Sequence, residues 1–231
     1  MPANNLALIL DTETTGNKEE DELIEMGMVM LDVPSLNVLG DYSIVIEPSR
    51  EAEERMLANP VVTAMHHENG LLADLDGDTA VPADLADALI NNWLNQFCDP
   101  RTHIPWGGSG VLHFDRRYIR KQLPMLDKRL TYWAYDVGVP RRIFNMVGAP
   151  TESIEAKTHR ALDDAYVHVE ELRFYAAAGL RATKPPQGTK LVLMTDELFE
   201  DLGANGVEWG TPSRQGWYTP TVYKNYPVEV P

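Results

Sequence analysis

The short apolar run Leu6–Ile9 leads into two carboxylic acids one residue apart, Asp11 and Glu13, inside Asp11-Thr12-Glu13-Thr14-Thr15-Gly16. Side chains at i and i+2 of a strand point to the same face, so the two acids stand side by side at the strand's end. Neighbouring carboxylates repel unless a cation sits between them. Hard divalent cations such as magnesium or manganese prefer oxygen ligands, which makes the pair a natural half-site. Taken alone, the pair also fits a solvated strand end.

The rest of the chain reads as a mixed α/β plan. Leu23–Val33, rich in Ile, Met and Val, and Tyr42–Ile46, alternating before Pro48, are strand patterns, so three successive strands predict an antiparallel start. Between Pro82 and Phe97 the residues Leu85, Ala86, Leu89, Ile90, Trp93, Leu94 and Phe97 recur at three and four, a helical stripe. Ile104–Trp106 is a brief strand before Gly107-Gly108-Ser109-Gly110, and His113–Leu130 is a helical stretch expected to break near Pro124. Thr131–Val137 reads as a strand and Arg141–Val147 as a short helix. A last helix runs from His159 or Arg160 to Ala178, with Gly179 as its stop. The resulting order is β-β-β-α-β-α-β-α.

This places one domain at 1–183. Lys184-Pro185-Pro186-Gln187-Gly188 marks a linker at 184–190, and an extension of unknown role covers 191–231. Leu191–Leu202 could form a strand and a short helix. Trp209, Trp217, Tyr218, Tyr223 and Tyr226 either stack on bases or clip the tail onto the main domain.

Composition narrows the function. With 44% hydrophobic and 24% charged residues the bulk of the chain folds. Cys98, the only cysteine, leaves no internal disulfide and no cysteine-built zinc or iron-sulfur site, which agrees with a reducing compartment. No apolar stretch approaches the roughly 20 residues that span a bilayer, and Met1–Leu10 lacks the basic start of a signal peptide. The expectation is a cytoplasmic protein with no membrane partner. A net charge of −15 argues against coating nucleic acid by bulk attraction. The charge is uneven, however: residues 1–100 carry 20 acidic and 3 basic side chains, and residues 110–145 carry 8 basic and 3 acidic ones. Arg116, Arg117, Arg120, Lys121, Lys128 and Arg129 could grip a polyanion locally or simply solvate a helix.

Two further acids matter. Asp115 follows the Gly-rich turn at the start of a helix, and Asp164 lies in the last helix after His159. At 100° per residue Asp163 falls about 200° from Ala161 and Asp164 about 60° from it, so Asp164 borders the buried stripe. An acid there needs a partner, either a metal shared with Asp11 or a nearby arginine. The adjacent pair His66-His67 points apart and makes a poor metal site. The glycine-rich turn lacks a following Gly-Lys-Ser or Gly-Lys-Thr and is no triphosphate loop; it lets the backbone turn tightly before Asp115.

Asp11 and Glu13 in DTETTG, Asp115 in HFDRRYI, and His159 with Asp164 in HRALDDAY resemble the three motifs of the DEDDh 3′-to-5′ exonucleases, over about Leu6 to Ala178. HRALDD with Asp115-Arg116-Arg117 is especially similar to the oligoribonuclease branch. The resemblance implies an RNase H-like mixed sheet flanked by helices and stepwise removal of nucleotides from a 3′ end. It also implies two Mg²⁺ or Mn²⁺ ions per site on Asp11, Glu13, Asp115 and Asp164, with Asp11 bridging. Four carboxylates can hold two cations about 3.5–4 Å apart. On the same resemblance His159 would take the proton from the attacking water; on the last helix it would face outward, so it is expected in the preceding loop, with Thr158 as a cap.

The branch carries a leucine after the first motif's glycine, an aromatic five before its histidine, and Asn-Ser ahead of the second-motif aspartate; Asn17, Val61 and Gly110-Val111 stand here. These departures, and the DTETTG form, point to single-stranded DNA, with short RNA as the rival substrate. Thr12, Thr14, Thr15 and Gly16 would approach the terminal nucleotide, Arg116 a phosphate, and His66, four before Gly70, the substrate. A homodimer, a polymerase or other replication partner bound through the tail, and a non-catalytic nucleic-acid-binding module on the same fold complete the expectations.

Overall fold

In a computed structural model of the chain, the described residues are 5–33, 35–149, 151 and 158–183. The linker and extension at 184–231, with the tail aromatics and Leu191–Leu202, lie outside them. The chain divides into two compact units, Met1–Pro140 with Glu152–Arg173, and Arg141–Thr151 with Phe174–Pro231. Within the second, Phe144 meets Phe174 and Tyr175 edge-on, with centroids 6.2 and 5.1 Å apart.

The first unit is organised by a five-stranded sheet of order β3-β2-β1-β4-β5. Strands β1 (Leu6–Thr14), β2 (Leu23–Asp32) and β3 (Asn37–Val45) form the expected antiparallel meander, and β4 (Ile104–Gly108) and β5 (Leu130–Asp136) add in parallel. β1 is central and buried along its whole length. Its even residues Leu6, Leu8 and Leu10, with Met26, Met28 and Met30 of β2, pack in the larger core with Ala86, Ile90 and Leu94 of helix α4 (Ala83–Leu94). Its odd residue Ile9 joins Val29 and Leu31 against Ala165 and Val169 of the last helix. The period-two alternation therefore assigns Asp11 and Glu13 to the face covered by that helix, and Thr12 to the other.

Three helices between the meander and α4 were not read from the sequence: α1 (Arg50–Leu57), α2 (Pro60–Glu68) and α3 (Leu71–Leu75). α1 is mostly charged and buries only Ala52 and Met56, too thin a stripe for periodicity to reveal. Its start is marked by capping: Ser49 Oγ accepts from the Ala52 amide at 3.3 Å, and Asn59 Oδ1 accepts from Val61 at 3.2 Å ahead of α2, with Pro60 in the first turn. The break near Pro124 separates α5 (Asp115–Gln122) from α6 (Pro124–Asp127), and α7 is Gly138–Met146. The last helix, α8, spans Ala161–Thr183 and runs through Gly179 instead of stopping there. A glycine inside a helix costs only about 1 kcal/mol relative to alanine, too little to end a long one. None of the described helices is long and apolar enough to cross a membrane.

α8 rests directly on β2 at Gly27. A Cβ at this position would lie 2.2 Å from the Ala161 carbonyl carbon and from the Leu162 amide nitrogen, both helix backbone. Gly27 is the cross-strand partner of Asp11, so the one side chain that is missing from β2 admits the first turn of α8 beside the acids. Gly27→Ala is expected to destabilise the fold by at least the ~1–3 kcal/mol typical of overpacking. Urea unfolding followed by circular dichroism checks this; a midpoint equal to that of the wild type would contradict the close approach.

Candidate active site

Three separate elements carry the four acids. Asp11 and Glu13 end β1, Asp115 opens α5, and Asp164 sits in the first turn of α8; all four are buried. Asp163 is exposed and hydrogen-bonded to Thr158 Oγ1 at 3.2 Å, as the helical angle requires. One ligand atom each of Glu13, His159 and Asp164 lie within 4.8 Å of one another. Asp115 is tied to the same strand end by Thr12, whose hydroxyl donates to Asp115 Oδ1 at 2.5 Å.

The approach to Asp115 is set by Gly110, whose φ of +78° lies in the left-handed region that suits glycine. Its carbonyl accepts the amides of His113 and Phe114, and its own amide donates to Asp136 Oδ1 at 3.1 Å. α5 then holds the turn after the first motif. Tyr118 OH reaches the Gly16 and Lys18 carbonyls at 3.1 Å each, and Arg117 donates to the Asn17 carbonyl at 2.7 Å.

His159 precedes α8 in an exposed loop with φ +54°, an unusual backbone state for a side chain of its size. Its surroundings pin it there. Asn69 Nδ2 donates to the His159 carbonyl. The next residue, Arg160, pairs with Glu25 at 2.8 Å and Asp74 at 2.7 Å, and Glu25 Oε2 also accepts the Ala161 amide at 2.9 Å. Glu25 is the cross-strand partner of Glu13, so β2 caps α8 next to the acids. Thr158 Oγ1 accepts the Arg160 amide at 3.3 Å, and the amide at the head of the helix goes to Glu25 rather than to the threonine.

The remaining substrate candidates take up defined positions. Thr14 Oγ1 donates to the Gly16 carbonyl at 2.6 Å, and Thr15 Oγ1 accepts the Glu22 amide at 2.9 Å. His66 is fully buried, with Nε2 3.0 Å from the Thr14 carbonyl. Because a carbonyl only accepts, that nitrogen carries the proton, and burial holds the ring below its ordinary pKa range. It supports the DTETTG backbone from beneath. Arg116 is committed to Asp127 at 3.2 Å, to the Thr131 and Tyr132 carbonyls, and to the Trp106 face.

One residue at the site went unread in the sequence. His168, fully buried on α8, has Nε2 3.1 Å from Asp11 Oδ1 and Nδ1 3.3 Å from Glu171 Oε2. The spacing Asp164, His168, Glu171 at i, i+4 and i+7 is the signal that could have found it.

The donor set fits hard divalent cations. Its oxygens are carboxylate, the cluster is buried, and the acids strain one another: burial and then the charge of Asp11 push the Asp115 carboxyl up to about 7. A cation would remove that strain.

Similarity to known proteins follows the same lines. No family model matches the chain. It is 30% identical over 203 residues to an oligoribonuclease of Mycobacterium bovis, covering 84% of this chain and 91% of the relative. The chain belongs to the oligoribonuclease family. It is therefore a 3′-to-5′ exonuclease by membership, in keeping with its three motifs. An oligoribonuclease of Corynebacterium diphtheriae is 30% identical over 189 residues, covering 78% and 85% of the two chains. The fold also resembles E. coli Exonuclease I in complex with a dT13 oligonucleotide, with a TM-score of 0.54 and 15% identity over 77% of this chain. This chain spans 44% of the length of that protein.

The strain on Asp115 has a testable sign. A carboxyl whose pKa is raised on folding favours the folded state at low pH, and that contribution is lost as pH rises from the ordinary carboxylate range toward about 7. In EDTA, Asp115→Asn is expected to melt above the wild type at pH 8, with the gain shrinking as pH falls toward 4. Differential scanning calorimetry reads this, and a variant that melts lower at pH 8 would contradict it.

Proposed function

We propose that the chain is a metal-dependent exonuclease that releases nucleoside 5′-monophosphates from the 3′ ends of single strands, DNA before RNA. The observation that carries it is the cluster of Glu13, His159 and Asp164, with ligand atoms within 4.8 Å of one another, beside Asp11 on the same strand and Asp115, which is bonded to Thr12 and feels the charge of Asp11. Asp11, Glu13, Asp115 and Asp164 would hold two Mg²⁺ or Mn²⁺ ions, with Asp11 shared between them. Such a pair, when bound, activates water and stabilises the departing 3′ oxygen.

The protein's own groups do the rest. His159 takes the proton of the attacking water, and its exposed loop position gives it access to that water. Thr12 keeps the Asp115 carboxylate turned to the strand end. The backbone of Thr12–Gly16, held by His66 at Thr14 and by Tyr118 at Gly16, would approach the terminal nucleotide. Water adds to phosphorus as its proton passes to His159, the bond to the 3′ oxygen breaks, that oxygen takes a proton from solvent, and a nucleoside 5′-monophosphate leaves with a strand that ends in a new 3′ hydroxyl.

Substrate length is read from three positions. Asn17 is exposed, Val61 is 75% exposed on α2, and Gly110-Val111 form the turn before Asp115. None offers the stacking or clamping groups that the resemblance associates with dinucleotides, which supports action on longer strands. Short RNA is the second reading, favoured by the relatives named as oligoribonucleases.

End-labelled single-stranded DNA, RNA oligomers and dinucleotides incubated with Mg²⁺ or Mn²⁺ test the proposal. Stepwise shortening of the longer strands is expected, and Asp11→Ala should abolish it without unfolding the chain. His159→Ala should lower kcat by roughly 10²–10⁴, the usual contribution of a general base. No shortening of any substrate would overturn the reading.

A further inference from the structure

The scheme above leaves one buried imidazole unused. His168 lies one turn beyond Asp164, with no solvent exposure, between two carboxylates that are themselves buried. Its Nε2 is 3.1 Å from Asp11 Oδ1 and its Nδ1 is 3.3 Å from Glu171 Oε2. An ionised carboxylate only accepts hydrogen bonds, so the contact to Asp11 is an Nε2–H donated by the ring. Glu171, at i+3 on the same helix, occupies the far side of the ring and fixes its plane.

The contact matters because of which acid it grips. Asp11 ends the central strand, and in the proposed chemistry both cations share it. With Oδ1 held by the imidazole, the plane of the carboxylate is set before any ion arrives. An aspartate left to rotate would lose that order on binding, because fixing a side chain costs conformational entropy.

We infer that His168 is a positioning residue that locks the Asp11 carboxylate in its metal-receiving orientation, with Glu171 as the brace behind it. The inference rests on the metal-dependent reading of the site, and it adds to the motif residues a histidine that touches neither water nor nucleotide. A histidine that only filled the core would affect stability; a positioning histidine also affects how tightly the acids hold a cation.

The experiment uses the full chain stripped of metal and titrated with Mn²⁺ by calorimetry, comparing wild type, His168→Leu and His168→Gln. Loss of such a supporting contact weakens metal affinity by roughly 10–100-fold, and that is the effect expected of His168→Leu. His168→Gln, which can still donate an N–H toward Asp11, should keep most of the affinity although both variants lose thermal stability. At saturating Mn²⁺ the KM for the oligonucleotide should stay near the wild-type value. If His168→Leu does not fold, His168→Asn, too short to reach Asp11, takes its place with the same expectation. A folded leucine or asparagine variant that binds Mn²⁺ as the wild type does would overturn the inference, as would a glutamine variant no better than leucine. Wild-type protein that fails to bind Mn²⁺ at all would overturn the metal reading and this inference with it.

Discussion

The contact on which the site depends is the landing of α8 on β2 at Gly27. The helix backbone comes so close that a single methyl group would collide with it, and the cross-strand register places that spot opposite Asp11. Two residue pairs along, Glu25 faces Glu13 and takes both the first amide of α8 and the Arg160 guanidinium. Packing and capping thus act two rungs apart on one ladder, and they bring Asp164 and His159 to Glu13 at the end of its strand.

Bringing these acids together opposes folding electrostatically, and the structure offsets the cost with local partners. Thr12 takes one oxygen of Asp115, and His168 takes one of Asp11. Arg160 is spent on Glu25 and Asp74 and keeps its charge on the β2 side of the cluster. Burial, and after it the charge of Asp11, still pushes the Asp115 carboxyl up to about 7. Sites that hold reactive groups in tension trade stability for function, and here the tension is greatest where the chemistry is proposed.

Much of this was legible in the sequence because it follows from short-range periodicity. The meander, the two later strands, the break at Pro124 and the inward face of Asp164 come from alternation, proline geometry and helical angle. What escaped depends on partners far along the chain. β1 continues through Thr14 because it pairs with β2 as far as Leu23, which no local pattern in DTETTG announces. Helices α1 and α2 bury so little that capping alone betrays them. Gly27 looks like any strand glycine until the helix above it is known, and Glu25 replaces Thr158 as the cap from 136 residues away. His168 was readable only as a spacing from Asp164; its meaning comes from Asp11, on another element.

The account stands on the four carboxylates sharing two ions. A crystal structure of the protein soaked in Mn²⁺, with anomalous scattering used to locate the metal, tests it most directly. The account predicts two peaks about 3.5–4 Å apart, within bonding reach of Asp11, Glu13, Asp115 and Asp164 and with Asp11 touching both. Ions bound elsewhere, or a cluster that stays empty at saturating Mn²⁺, would contradict it.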